Sequence, residues 1–568
     1  MNKRNRLLSI ILALICNLTA IIIYIFDEKF IYSNLVLIFW IGGIIIISLW
    51  TIIASKKKSS FHIPIKKKTF WFLIILILLT IFLRFYRLDQ IPILSGDETR
   101  DTGFWPEAFL EGKIDDYFGY GVYGIPNLFF IISSIPHLFL GHSIWAIRFF
   151  AAFFGLFSVI VTYFLAKENF GQKAGGITAL LLAVYHIHLH FSRSEFINVF
   201  DSFWAPLIIF FLIRSLSKKP KKNFNICLFL GLLMGIAFHF YQGIRATLLL
   251  AFIYFLLVNI KYFRHSFRLL ATKISHFLFG LFLGIGPSVV VFITNTERIF
   301  NTGTAGKPLL LELGIIKFIS IFPIRLCRSL GSLIYYPTEF HYHYGGPFLQ
   351  FPFNCFFLLG LFFLFKNIKK KKCHLLILWI VFPFVFNSAI LKDLNFTHRL
   401  LSVTPALMIV LALGIIAFAE LFKKKLFINL ILFLIVSFFI FSNLQLYFEK
   451  SVWKKVIDTN TKVATTAGYY ANSFPIGTKF YFLNSLRMGW QSIPTWRYLA
   501  PQYQTENLPE VKFEEALFFQ KRQEKKIVFI ILPERKKDLT LLKKHFPHGL
   551  LKEHHYDDEF LFYSYQLN

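Results

Sequence analysis

The chain alternates long apolar runs with short polar interruptions. LLSIILALICNLTAIIIYIF (7–26) and NLVLIFWIGGIIIISLWTIIA (34–54) open the pattern. They reach the roughly 17–25 apolar residues that a membrane-spanning helix needs. In lipid the backbone must pair its own N–H and C=O groups, so runs of this length are helices. Further runs lie at 69–87, 144–166, 174–191, 203–217, 224–240, 246–260, 276–294, 348–365, 374–391, 401–422 and 426–447. The pattern predicts a polytopic α-helical membrane protein with about 13 transmembrane helices. Pro126–Leu140 is apolar but short and carries Pro136, and is read as a juxtamembrane or re-entrant piece.

The interruptions set an orientation. Lysines cluster at 56–58, 66–68, 218–222, 365–372 and 423–425, each between apolar runs. Short Lys-rich loops are cytoplasmic under the positive-inside rule. The N-terminus is then inside, loops 88–125 and 295–347 are external, and so is everything after 447. The first run is too long for a cleaved signal peptide and is expected to be the first anchor.

The pattern changes after 448. GTKFYFLN and KKIVFIILPE read as short buried strands, and EFLFYSYQL alternates like a final one. DLTLLKKHFPHG has helical spacing and a Gly stop. Three regions are expected: an N-terminal transmembrane hairpin and cytoplasmic linker (1–68), a transmembrane domain (69–447), and a small α/β extracytoplasmic domain (448–568).

Composition sharpens this picture. The chain is 56% hydrophobic with a mean hydropathy of +0.58, and its formal net charge is +30. The basic excess is a topology signal and implies no nucleic-acid partner. Membrane lipids are the surroundings. Five cysteines form no CxxC pair, so neither a disulfide framework nor a zinc site is expected.

In so apolar a chain, ILSGDETRDTGFWPEAFLEGK (93–113) stands out. It places Asp97, Glu98 and Arg100 just where the chain is expected to leave the membrane. The same outer face would receive Arg193, Glu195 and Asp201, then His239, Tyr241 and Arg245. It would also receive His341, His343, Tyr344, Lys392, Asp393, His398 and Arg399. Ionisable groups near membrane depth are costly and usually face a cavity or a partner. Such a set can serve transfer from a phosphate-linked lipid. Arg and Lys hold the phosphate and neutralise its growing charge, while a carboxylate takes a proton from an incoming hydroxyl. Plainer readings stand beside this. Asp97-Glu98 can be a capped helix start, and Arg193 and Arg245 can be snorkelling anchors. A metal role for His341 and His343, or for Asp115-Asp116, is the weaker reading, and no cofactor is implied.

The ordered series of motifs resembles the GT-C membrane glycosyltransferases, in particular the branch of protein O-mannosyltransferases and bacterial aminoarabinose transferases. That family has an Asp-Glu pair in its first large external loop, here Asp97-Glu98 within GDETR. FWPEAFLEGK is similar to its short amphipathic helix. GHSIWAIRFFAAFFGLFSVIVTYFLAKENFG, FSRSEFINVFDSFW, GIAFHFYQGIRATLLL and THRLLSVTPALMIVLALG are similar to later signatures. The likeness spans roughly 70–450. It implies a sugar donor carried on a polyprenyl phosphate, used on the extracytoplasmic side of the cell membrane, and an acceptor hydroxyl on a protein, lipid or glycan. By that likeness Asp97 is the catalytic base with Glu98 beside it. Arg193, Arg245 and Arg399, with Lys392, are candidates for the donor phosphate. Arg100, Tyr241, Asp201 and His398 are candidate substrate contacts. Two departures leave sugar and acceptor open: Ile125-Pro126 replaces a Lys-Pro pair, and loop 295–347 lacks the large insert of the eukaryotic mannosyltransferases. A transporter or flippase of lipid-linked glycans, or a non-catalytic membrane scaffold, is the alternative. The first would show inverted repeats with broken helices.

Overall fold

A computed structural model of the chain describes residues 3–56, 67–121, 124–194, 197–216, 224–260, 267–294, 307–338, 345–450, 457–509 and 526–567. The chain divides into two compact units. One comprises Met1–Tyr86, Ala108–Ser133 and Phe149–Val452; the other comprises Arg87–Glu107, Ser134–Arg148 and Trp453–Asn568.

The first unit is helical. Seven helices among the described residues are long and apolar enough to cross a membrane, and six shorter apolar ones accompany them. Their burial separates centre from periphery. Thr397–Ala419 is 89% buried, whereas Leu7–Phe26 is 22% and Lys425–Glu449 17% buried. A helix that is apolar on all sides and enclosed lies inside the bundle; one that stays apolar while exposed is built to face lipid. Helices Phe224–Ala237 and Phe267–Ile285 approach each other through Gly231, Gly235, Gly280 and Gly284. A Cβ on Gly235 would lie 2.6 Å from the Leu281 carbonyl oxygen. Small residues four apart allow the close backbone contact on which membrane helices rely.

Several apolar runs are interrupted. The run 276–294, expected as one span, belongs to two helices, Phe267–Ile285 and Ser288–Thr294. Gly286 takes φ +57° between them, and Pro287 supplies no N–H. Run 174–191 breaks at Tyr185 into Gln172–Val184 and His186–Phe191. Pro126–Leu140 becomes a helix of 14 residues, Asn127–Leu140. Loop 295–347 holds a regular helix, Ile315–Gly331.

The second unit is built on a five-stranded sheet: β1 (Lys479–Leu483), β2 (Gln504–Asn507), β3 (Ile527–Ile531), β4 (Leu550–Tyr556) and β5 (Glu559–Leu567), in the order β2-β1-β3-β5-β4. β1 runs parallel to β2 and β3, and β5 antiparallel to β3 and β4. Every residue of β3 is buried. Val463, Ala464, Ala467 and Ala471 of helix Thr459–Ala471 pack with one face of the sheet, and Leu539 and Leu542 of helix Lys536–His545 with the other. Coverage on both faces explains a continuous apolar run in place of alternation. The strands expected at β1, β3 and β5, and the helix after β3, are all present. β2 and β4 were not expected, because as edge strands they are polar and mostly exposed.

Candidate functional site

The acid-bearing loop belongs to the second unit. Ser95 caps the turn Gly96–Glu98. Its hydroxyl accepts from the Glu98 N–H at 3.2 Å, and the Glu98 carboxylate accepts from the Ser95 N–H at 2.9 Å. This reciprocal capping box is the plain reading of the pair, and it is realised. Glu98 does more than cap. Arg148 Nε and Nη2 donate to its two oxygens at 2.8 and 3.0 Å. The other Arg148 donors reach the carbonyls of Leu88, Pro92 and Ile93 at 2.9, 2.8 and 3.2 Å. Both side chains are sealed from solvent. Burying such a pair is tolerable because each side chain finds hydrogen-bond partners. It fixes the path from Leu88 to Glu98.

Asp97 is placed differently. Its side chain is 30% exposed and meets Arg100 at 2.7 Å. Arg100 also donates to Asp101 at 2.6 and 3.1 Å. Burial pushes the Asp101 carboxyl up to about 6, against the pull of Arg100. Asp97 is therefore a partly accessible carboxylate beside Arg100, on a turn that Glu98 and Arg148 hold in place.

The rest of the unit supports this turn. Leu94, Ile144, Ile147 and Tyr498 form one apolar cluster, and the Thr465 hydroxyl donates to the Leu94 carbonyl at 3.1 Å. His142 places one ring nitrogen 2.6 Å from Glu107 and the other against the Tyr498 carbonyl. Two acceptors on one imidazole require both protons, so the ring is cationic. Burial lowers the His142 pKa, but the Glu107 and Tyr498 acceptors outweigh it and leave it raised. Burial would raise the Glu107 pKa, but hydrogen bonds from His137 and His142 hold it at about 2.

A second polar cluster lies in the first unit. Asp201, in helix Val199–Ser215, is fully buried, and neither carboxylate oxygen has a hydrogen-bond partner among the described residues. One oxygen lies where a side chain on Gly243 would have to go. Arg245 is its charged neighbour and also faces Tyr120 and Tyr241. The Tyr241 hydroxyl is hydrogen-bonded to Asn198 and Arg399. Asn387 donates to the carbonyls of Gly243 and Arg399 at 2.8 and 3.1 Å, which ties two arginine-bearing segments together. His398 packs against the Phe396 ring at 5.4 Å.

Of the residues singled out in the sequence, the fold thus gathers Asp201, Tyr241, Arg245 and Arg399, and separately Asp97, Glu98 and Arg100. Two candidates stand elsewhere. Arg193 is buried and donates to the carbonyls of Leu83 and Tyr86, both at 2.6 Å, holding the end of helix Lys67–Phe85. Lys392 pairs with Glu312 at 3.0 Å on the surface. Asp116 accepts from the Tyr24 hydroxyl and the N–H of Gly119, both at 2.9 Å. Glu195, His341, His343 and Tyr344 lie outside the described residues. Among the described residues no three His, Cys, Asp or Glu side chains group to hold a metal ion. Sequence reasoning missed Arg148, Asn198 and Asn387. Asn387, a polar residue inside the apolar run 374–391, was the detectable one.

Residues 125–285 match the family model described as dolichyl-phosphate-mannose-protein mannosyltransferase. The structure is similar to that of ArnT from Cupriavidus metallidurans bound to undecaprenyl phosphate. That likeness covers 88% of this chain and 98% of ArnT, at 14% identity and a TM-score of 0.51. The chain has the fold of the GT-C membrane glycosyltransferases. An oligosaccharyltransferase from Archaeoglobus fulgidus, in complex with zinc and sulfate, is also similar. It shows 12% identity, coverage of 86% of this chain and 72% of that one, and a TM-score of 0.41. No curated protein matches by sequence. In this chain the acid-bearing loop shares a unit with the C-terminal sheet, and the arginine cluster lies in the helical unit.

Proposed function

We propose that the protein transfers a sugar from a polyprenyl-phosphate donor to an acceptor hydroxyl on the extracytoplasmic face of the membrane. The GT-C fold supports the reaction class, and the family model over 125–285 supports the phosphate-linked lipid donor. The observation that carries the proposal is the unequal state of the two neighbouring acids. Glu98 is consumed by Arg148 and Ser95, while Asp97 stays partly exposed on the turn they fix.

Asp97 is the base. A hydroxyl is a poor nucleophile at neutral pH, and a positioned carboxylate within hydrogen-bond reach takes its proton. As the acceptor oxygen bonds to the anomeric carbon, the bond from that carbon to the donor phosphate breaks. The polyprenyl phosphate leaves with the electron pair, and the proton ends on Asp97. Arg245 and Arg399 are assigned to the phosphate, whose charge grows as it leaves. Each guanidinium can grip two oxygens. Asp201, whose oxygens have no hydrogen-bond partner among the described residues, is suited to bind donor sugar hydroxyls. Glu98 and Arg193 are positioning residues in this account.

The test is incubation of the purified protein in detergent with radiolabelled polyprenyl-phosphate sugars and a cell extract. Label transferred to a macromolecular or lipid acceptor, and lost with Asp97→Asn, is the expected result. No transfer from any donor, by protein that still binds polyprenyl phosphate, would remove the enzymatic reading.

A further inference from the structure

Helix Ile315–Gly331 of the first unit presents three different faces. Its inner face is fastened to the end of the spanning helix Lys371–Ala389. Arg325 donates to the Ala389 carbonyl at 3.0 Å and to those of Leu391 and Lys392. The Ser329 hydroxyl reaches the Phe384 carbonyl at 3.0 Å and Ser388 at 2.8 Å. The helix is thereby held at the level where a span ends.

The second face is apolar and open. Ile315, Ile316 and Ile319 are 65%, 85% and 63% exposed. On the helical wheel they fall within about 100° of each other. Ridges of isoleucine with no protein cover among the described residues are unfavourable in water. Ile324, 61% exposed, extends this face, and beside it on the wheel Lys317 and Arg328 are exposed and form the third, basic face. Just beyond the helix, Tyr335 and Tyr336 are 76% and 42% exposed. Tyrosine is enriched at the headgroup level of bilayers. An apolar face edged by cations lies in the plane of an interface and gains from anionic lipid. Attachment to a span end, basic margin and tyrosine pair all point to the same occupant.

We propose that this helix lies in the membrane–water interface, its isoleucine face in the acyl chains and Lys317 and Arg328 among acidic phospholipid headgroups. The inference does not depend on sugar transfer. It gives the protein a lipid-contacting surface distinct from its spanning helices. Ser388, which the helix holds, adjoins Asn387, the side chain that ties the Gly243 and Arg399 backbones together. Seating the helix in lipid therefore steadies one wall of the arginine cluster.

Cys327 lies at the edge of the isoleucine ridge and is exposed. In the full chain carrying Cys16→Ala and Cys355→Ser, Cys327 is labelled with a polarity-sensitive fluorophore, since Cys227 and Cys373 are buried. The protein is placed in nanodiscs of phosphatidylcholine alone or with phosphatidylglycerol. The proposal expects blue-shifted emission, quenching by shallow lipid-borne nitroxides and protection from aqueous iodide, all stronger with phosphatidylglycerol. A label on Leu486→Cys, in a fully exposed position, gives the solvent reference. Lys317→Gln with Arg328→Gln should abolish the dependence on lipid charge while leaving the label in lipid. Ile319→Asp should shift the emission toward the Leu486 reference. Iodide quenching equal to that reference would overturn the seating. Equal signals in both lipids would overturn the headgroup assignment. Crosslinking of Cys327 to Cys327 between copies would replace lipid with a second protein chain.

Discussion

Glu98 and Asp201 are both carboxylates withdrawn from solvent, at 1% and 0% exposure, yet their surroundings are opposites. Glu98 accepts two donors from Arg148 and one from Ser95. Asp201 accepts from none among the described residues. Burial alone does not separate a structural acid from a functional one; the list of partners does. A fully partnered buried ion has no capacity left for a ligand, and removing one partner exposes the cost of burying the other. A buried acid without donors costs stability unless something supplies them. Asp97 is a third case, 30% exposed and in an ion pair with Arg100. The contrast makes Glu98 architectural, and under the proposed function it leaves ligand recognition to Asp201 and proton transfer to Asp97.

Breaking the structural side of this contrast gives the largest effect. Arg148→Leu leaves Glu98 buried without its counter-charge and should destabilise the fold by about 3–5 kcal/mol, read as loss of thermal and denaturant resistance. Adding Glu98→Leu should recover much of that loss. A cost below about 1 kcal/mol for Arg148→Leu would make the pair incidental.

The ligand side should respond in the opposite way. Asp201→Asn removes no hydrogen bond among the described residues, so the melting temperature should change little. Affinity for the donor sugar should fall by up to about tenfold, the worth of one hydrogen bond. Unfolding of this variant would show that Asp201 is structural after all. Arg399→Ala should raise the apparent Michaelis constant for the lipid donor by a similar or smaller factor, with Lys restoring part of it.

The smallest effect concerns pH in the second unit. The His142 pKa is raised in the folded state. Its contribution is present below its unfolded value of about 6.5 and is lost as pH rises through the folded value. Glu107 is held at about 2. Its contribution is present above its unfolded value of about 4.3 and fades as pH falls through about 2. The pair is thus most stabilising between those two unfolded values. Because His142 is 37% exposed, the gain is at most about 1 kcal/mol. Denaturation midpoints at about pH 5.5 and about pH 8 should differ less in His142→Asn than in the parent. An unchanged difference would show that another group carries the slope.

These contrasts were unevenly legible in the sequence. The apolar runs were readable because lipid forces helices on any chain that crosses it. The Asp97-Glu98 turn was readable because a serine, two acids and an apolar sequel form a local capping signal. The break at 286–287 was also written there as Gly-Pro, but the apolarity of 276–294 masked it. Edge strands β2 and β4 were hidden because their polar sequences resemble loops. The bond between Glu98 and Arg148 joins residues 50 positions apart, and no local pattern reports such a pairing. The lack of hydrogen bonds to Asp201 among the described residues is likewise a property of packing, visible only once Gly243 takes its place against it.

The division of labour between Asp97 and Arg245 is tested most directly by binding of polyprenyl phosphate to purified Asp97→Asn and Arg245→Ala, measured beside transfer from the sugar-linked donor. Asp97→Asn should bind polyprenyl phosphate as the parent does and lose at least about a hundredfold in transfer. Arg245→Ala should bind it more weakly. Near-normal transfer by Asp97→Asn, or weakened binding in that variant with normal binding in Arg245→Ala, would contradict the assignment.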